Sequence, residues 1–273
     1  MPRCEIPVNL ILSNILQEPD IQAFQGMSGE PKEFRRQVGA KVDWTVWDML
    51  HGGHRNVVLI RKELPRSPNE ETLRIIWRQP EIRWMQILKG ILTEHVLATE
   101  LGVPGRTLLD PSSPIEIIDG MQVSRMRYIP ADYRYPWNSW EIESAARFQA
   151  RVHDALRSVV FHPQDPDGGR NSQYLHLDFA RGNVLFRPLS PDAYALIDYE
   201  NLARGEVEQD LGRTLSLLLV DSQLESTDGT PFAPNRHQEA AIQPIFALRS
   251  QALLDTYPEQ FNPDLALVYA AAY

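Results

Sequence analysis

The sequence predicts an α+β protein built as two lobes, a small antiparallel β lobe followed by a larger, mainly helical one. Three observations carry this. Between residues 42 and 129, runs rich in β-branched and aromatic residues alternate with turn signals. A single helical period, apolar at 84, 85, 87, 88, 91, 92, 96, 97 and 101, interrupts those runs. From residue 137 onward most of the patterning is helical. On the chain this reads as a lead-in over 1–40, the β lobe over 41–128 and the helical lobe over 129–273.

Within the lead-in, Ile6 to Leu16 has the spacing of a short amphipathic helix, and QGMSGEPKEF is turn-rich. VDWTVWDML reads as the first strand of the β lobe, and VVLIRKEL as the second; HGGHRN between them makes a hairpin turn around Gly52 and Gly53. The polar turn LPRSPNEE leads to a third strand, TLRIIWRQP, which Pro80 closes because proline cannot donate to a ladder. The helix that follows ends at Gly102, a residue suited to a left-handed C-cap. IEIID and MQVSRMRYI are two more strands around Asp119-Gly120. The β lobe is thus expected to be a five-stranded antiparallel sheet with one helix after its third strand.

In the second half, Asn138 or Ser139 caps a helix running through FQARVHDAL. PQDPDGGRNSQ is a loop. Extended YLHLD, the turn ARGN and the strands VLF and YALID come next, and three helices close the chain: VEQDLGRTLSLLLVD, RHQEAAIQPIFALRSQALLDTY and NPDLALVYAAAY, the last capped by Asn262.

Composition bounds the function. The 273 residues suit one large domain or two lobes. A net charge of −9 argues against nucleic acid as a partner, since its phosphates require a basic surface. The one cysteine, Cys4, excludes an intramolecular disulfide and any cysteine-based zinc site. No window approaches the ~20 apolar residues of a membrane span. The apolar run near the N-terminus is broken by Asn9 and Asn14, unlike a signal-peptide core. The expectation is a cytoplasmic protein with no membrane partner.

The stretch Tyr174–Asp198, YLHLDFARGNVLFRPLSPDAYALID, is where chemistry concentrates. His176, Asp178, Asn183 and Asp198 sit among Leu175, Leu177, Val184–Phe186 and Ala195–Ile197. Burying carboxylates without partners is costly, so these residues either pair with one another and Arg181 or hold a cation. Asp178 and Asn183 lie five apart, within reach of one point across a turn. If the strand ending at Asp198 pairs with Val184–Phe186, Asp198 comes beside Asn183. An Asp and an Asn, with positions left for water and phosphate oxygens, are the donors that hold Mg²⁺ in nucleotide sites. Asp178 is then placed to accept the proton of an attacking hydroxyl, as in phosphoryl transfer.

HLDFARGNVLF followed by LIDYE resembles the catalytic core of the aminoglycoside phosphotransferase and choline kinase-like family, relatives of the protein kinases. The resemblance implies a bilobal protein kinase-like fold. It makes Asp178 the catalytic base, Asn183 and Asp198 the Mg²⁺ ligands, and His176 a brace of the loop. By the same resemblance the Asp of DLG, Asp210, is structural, and His153 matches the histidine ending the long preceding helix. HGGHRNVVL is similar to the family's nucleotide loop, which points to Gly52 and Gly53. IIWRQP is similar to its third strand, which makes Arg78 the cation for the non-transferred phosphates, with Lys62 as rival and Glu94 as its carboxylate partner. Met126, at the join of the lobes, is a further expected nucleotide contact. Glu200 opens an acidic run with Glu206 and Glu208, either a solvated loop or a pocket for a cationic substrate, and is the candidate substrate contact. The chain departs from the family in lacking Gly-x-Gly-x-x-Gly and in carrying Leu177 between His176 and Asp178.

The implied activity is transfer of the γ-phosphoryl group of ATP or GTP to a hydroxyl of a small molecule, with Mg²⁺. The stretch between Asp198 and the next helix is too short for the platform a protein acceptor needs. The alternatives are an inactive nucleotide-binding pseudokinase acting as a regulator, and nucleotidyl transfer from ATP.

Overall fold

The computed structural model describes residues 3–6, 38, 40–52, 56–62, 71–76, 81–118, 121–132, 134, 137–161, 172–180, 182–226 and 247–272. The expected lead-in helix, Gly53, Arg78 and Arg181 lie outside them.

The sheet contains β2 (Trp47–Gly52), β3 (Asn56–Arg61), β4 (Glu71–Ile76), β5 (Glu116–Ile118) and β6 (Met121–Arg127), all antiparallel, in the order β2-β3-β4-β6-β5. Helix α1 (Glu81–Thr99) follows the third of these strands. The sheet and its single helix are those expected from the period-2 and 3.6-residue patterns. The first strand starts later than its composition suggests. Asp43 Oδ1 accepts from Thr45 N at 2.9 Å and Thr45 Oγ1 at 2.6 Å, a local turn that competes with strand pairing and delays it to Trp47.

The second half holds α2 (Ser139–Leu156), α3 (Val207–Ser226), α4 (247–256) and α5 (Pro263–Ala272). Asn138 caps α2 through a full capping box: Glu141 N donates to its Oδ1 at 3.0 Å, and Asn138 N donates to Glu141 Oε2 at 2.9 Å. Between α2 and α3 lie small two-stranded ladders. β8 (Gln173–Leu175) pairs with β11 (Ala203–Gly205), and β9 (Val184–Phe186) with β10 (Ala193–Leu196), both antiparallel. A parallel pairing of β1 (Cys4–Glu5) with β7 (Val159–Val160) was not legible in the sequence. Two residues per strand leave no period to detect.

The main core is continuous from α1 into the helical half. Leu88, Ile91, Met126, Ile142, Phe148, Val184, Leu211 and Leu253 all belong to it. Helices α3 and α5 cross at Gly212, where a Cβ would lie 2.5 Å from Tyr269 Cβ and 2.7 Å from Ala266 O; only glycine permits that approach. Among the described residues no helix is long and apolar enough to cross a membrane.

Candidate active site

The β9–β10 hairpin assembles the polar residues of Tyr174–Asp198. Leu196 pairs with Val184, and Ile197 N donates to Asn183 O at 3.0 Å, so Asn183 sits beside the strand end that carries Asp198. Asn183 Nδ2 donates to Asp178 O and to Asp178 Oδ2, both at 2.9 Å. Asn201 Nδ2 lies 3.5 Å from the same Oδ2. With its amide nitrogen directed at Asp178, Asn183 keeps its oxygen as an acceptor for a cation.

His176 is fully buried. Its Nδ1 accepts from Asp178 N at 3.2 Å, and its Nε2 lies 3.2 Å from Ile197 O, which can only accept. The ring therefore carries its proton on Nε2 and ties the loop before Asp178 to the strand before Asp198. It has no surface from which to act on a substrate, so its contribution is to orient the loop.

The loop is held from behind by a buried chain of polar groups. Leu177 has a φ of 57°, unusual for a branched side chain, and its N–H donates to Asp210 Oδ1 at 2.8 Å. Asp210 Oδ2 lies 2.8 Å from His153 Nε2, and His153 Nδ1 lies 2.6 Å from Tyr257 Oη. Burial opposes ionisation of Asp210. The hydrogen bond and charge of His153, and the Leu177 N–H, outweigh it and hold the carboxyl below its usual value. The chain thus runs from the end of α4, through α2 and α3, to the residue preceding Asp178.

Asp198 occupies the left-handed region, with φ 69° and ψ 60°. Its Oδ1 accepts from Arg74 Nη2 at 3.1 Å, and its N–H lies 3.4 Å from Glu94 Oε2. Burial again works against the charged form, but Arg74 first and Arg106 next hold the carboxyl below its ordinary range.

Several expected roles meet a different geometry. Arg74, on β4, is 1% exposed and ion-pairs with both Asp198 and Glu200. Sequence reading named Arg78, outside the described residues, as the phosphate cation and did not single out Arg74. The available signal was a lone arginine between Leu73 and Ile75 on the inward face shared with Thr72. Glu94, expected to pair with the strand cation, is bound to Arg106. Arg106 Nε and Nη2 reach its two oxygens at 2.8 and 2.9 Å, and Arg106 N reaches Oε1 at 2.7 Å. Glu200, expected at the substrate, pairs with Arg74 and is almost wholly buried. Met126, expected at the nucleotide, is closed off within the main core, where its backbone oxygen accepts from Thr72 Oγ1 at 3.1 Å. Lys62 Nζ donates to Trp44 O at 2.7 Å in an exposed setting. Gly52 ends β2.

Among the described residues no group of three or more His, Cys, Asp or Glu side chains forms a metal cluster. A hard cation in a nucleotide site takes few protein oxygens and completes its shell with phosphate and water. Asn183 and Asp198 supply oxygens of that kind.

The five-stranded sheet with one inserted helix, set against a helical half, is a protein kinase-like fold, and the family match makes the chain a small-molecule phosphotransferase. Residues 110–245 match the phosphotransferase enzyme family (APH), and the chain belongs to that family. One solved structure shares the fold, and two others are similar to this chain. The streptomycin–ATP–APH(2″)-IIa ternary complex is 12% identical, with a TM-score of 0.50 over 88% of this chain and 85% of that one. A microcompartment-associated aminopropanol kinase is 13% identical, with a TM-score of 0.49 over 88% and 94%. The amicoumacin kinase hAmiN, in complex with AMP-PNP, Ca²⁺ and Ami, is 10% identical, with a TM-score of 0.48 over 93% and 94%. No curated protein sequence matches the chain.

Proposed function

We propose that this protein transfers the γ-phosphoryl group of ATP or GTP to a hydroxyl of a small molecule, in the cytoplasm, where those nucleotides are supplied. The observation that carries the reading is the convergence of Asp178, Asn183 and Asp198 at the mouth of the β9–β10 hairpin, with Asn183 bonded to Asp178 at 2.9 Å.

Each residue has a part that its surroundings support. Asp178 orients the acceptor hydroxyl and takes its proton; Asn183 and Asn201 hold its carboxylate in place. Asn183 and Asp198 would hold Mg²⁺, which when bound neutralises charge on the phosphate oxygens. Arg74, buried and positioned by Glu200, presents a fixed cation that keeps Asp198 charged beside the metal position. Arg78 and the Gly52–Gly53 turn remain proposed phosphate contacts on resemblance alone. The acceptor-binding surface is assigned to the helical half.

The test is a thermal shift with ATP and with GTP, each with and without Mg²⁺, followed by a panel of hydroxyl compounds coupled to nucleoside diphosphate release. Stabilisation by Mg²⁺-nucleotide and release of diphosphate with a hydroxyl acceptor support the reading. No shift with either nucleotide overturns it. Nucleotide binding that survives Asp178→Asn, together with an unchanged biological effect of that variant, would identify a non-catalytic regulator instead.

A further inference from the structure

Helix α1 and the segment just after it touch the Asp198 turn at three points, and none leaves room for sliding. Gly90 comes first. A Cβ there would lie 2.7 Å from Tyr199 O, 2.8 Å from Tyr199 C and 3.0 Å from Glu200 N. The obstacles are backbone atoms of the turn that follows Asp198, so a side chain at 90 must push that turn away. Glu94 comes next, one helical turn on. Its carboxylate is fully buried, is gripped by three donors of Arg106 and faces the Asp198 N–H at 3.4 Å. The 104–106 segment is third. Pro104 O accepts from Leu196 N at 3.1 Å, and a Cβ at Gly105 would lie 2.9 Å from Glu94 Cγ and 3.1 Å from Leu196 O.

The backbone of Asp198 is left-handed at φ 69°, a conformation that persists in a non-glycine residue only when its surroundings impose it. The three contacts above supply that constraint from the α1 side. They act on the backbone of residues 196–200, leaving the Asp198 carboxylate, a third of whose side chain is exposed, to face the site.

We propose that Gly90, Glu94 and Arg106 are positioning residues for Asp198, holding it in its metal-binding conformation before nucleotide arrives. Helix α1 is then a fixed wall of the site. The inference rests on the proposed function only in taking Asp198 as a Mg²⁺ ligand.

Calorimetric titration with ATP or GTP, whichever the wild type binds, in chelator and in saturating Mg²⁺, reads this directly. The quantity of interest is the factor by which Mg²⁺ tightens nucleotide binding. In Gly90→Ala that factor is expected to fall about tenfold, the usual lower bound for disturbing a group that orients a metal ligand. Nucleotide affinity in chelator is expected to stay near that of the wild type. Arg106→Lys, which keeps the charge but loses the fork on Glu94, is expected to lower the same factor and carries the test should Gly90→Ala not fold. A purely structural role would lower the melting temperature and leave the factor unchanged; that result in the folded variants overturns the inference. A wild type that shows no Mg²⁺-dependent nucleotide binding overturns the proposed function itself, a separate and visible outcome.

Discussion

Arg74 and Asp198 are 124 positions apart and meet as an ion pair, Nη2 to Oδ1 at 3.1 Å, with Glu200 bound to the same nitrogen. The strand and the hairpin each contribute a charge that neither could bury alone. Arg74 is fully buried, so removing it breaks its ion pair with Glu200 in a nearly closed site. Arg74→Met is expected to destabilise the fold by about 3 kcal/mol, at the low end for breaking a buried pair because Asp198 stays partly solvated. Chemical denaturation measures it. The same variant is expected to raise the KM for nucleotide, whereas an equivalent change at exposed Lys62 is expected to leave it unaltered.

Asp178→Asn keeps the shape of the side chain and its contact with Asn183. Turnover is expected to fall by at least about 10²-fold, the usual contribution of a positioned general base. Mg²⁺-nucleotide binding, followed by calorimetry, is expected to persist.

The Tyr257–His153–Asp210 chain predicts an acid-labile fold. The carboxyl of Asp210 titrates below its ordinary value of 3.8 in the folded protein. Its contribution to stability is therefore fully present above about pH 4 and is lost as pH falls through the lower folded value. Urea melts of the wild type and Asp210→Asn between pH 3 and 7, a range spanning roughly the carboxylate pKa region, are expected to differ most at the upper end and to converge at the acid end.

Tyr257→Phe removes one buried hydrogen bond and leaves His153 Nδ1 without its partner. A loss of about 1–2 kcal/mol is expected, read by denaturation. If the strain at Leu177 depends on this chain, the variant also lowers kcat while leaving the KM for nucleotide unchanged.

Asn138→Ala removes the α2 capping box and touches no residue of the site. It is expected to cost about 1 kcal/mol of stability without a change in nucleotide affinity.

The sequence alone determined the elements whose signals are local. The HLDFARGN spacing brought Asp178 to Asn183, the LID strand end brought Asp198 beside them, and Asn138 and Gly102 marked helix boundaries, because each depends on a helix cap, a turn or a single hairpin that lies along a short stretch of chain. Even there a local competitor could win, as the Asp43–Thr45 turn did over the first strand. Only the tertiary structure decided which charges meet. Arg74, Arg78, Lys62 and Arg106 are all plausible partners for Glu94, Asp198 and Glu200 when read along the chain. Among the described residues the fold pairs Arg74 with Asp198 and Glu200 and Arg106 with Glu94, because ion pairing depends on which faces of β4, α1 and the Asp198 turn are buried against one another. That arrangement carries no sequence period and is set by the packing of the whole core.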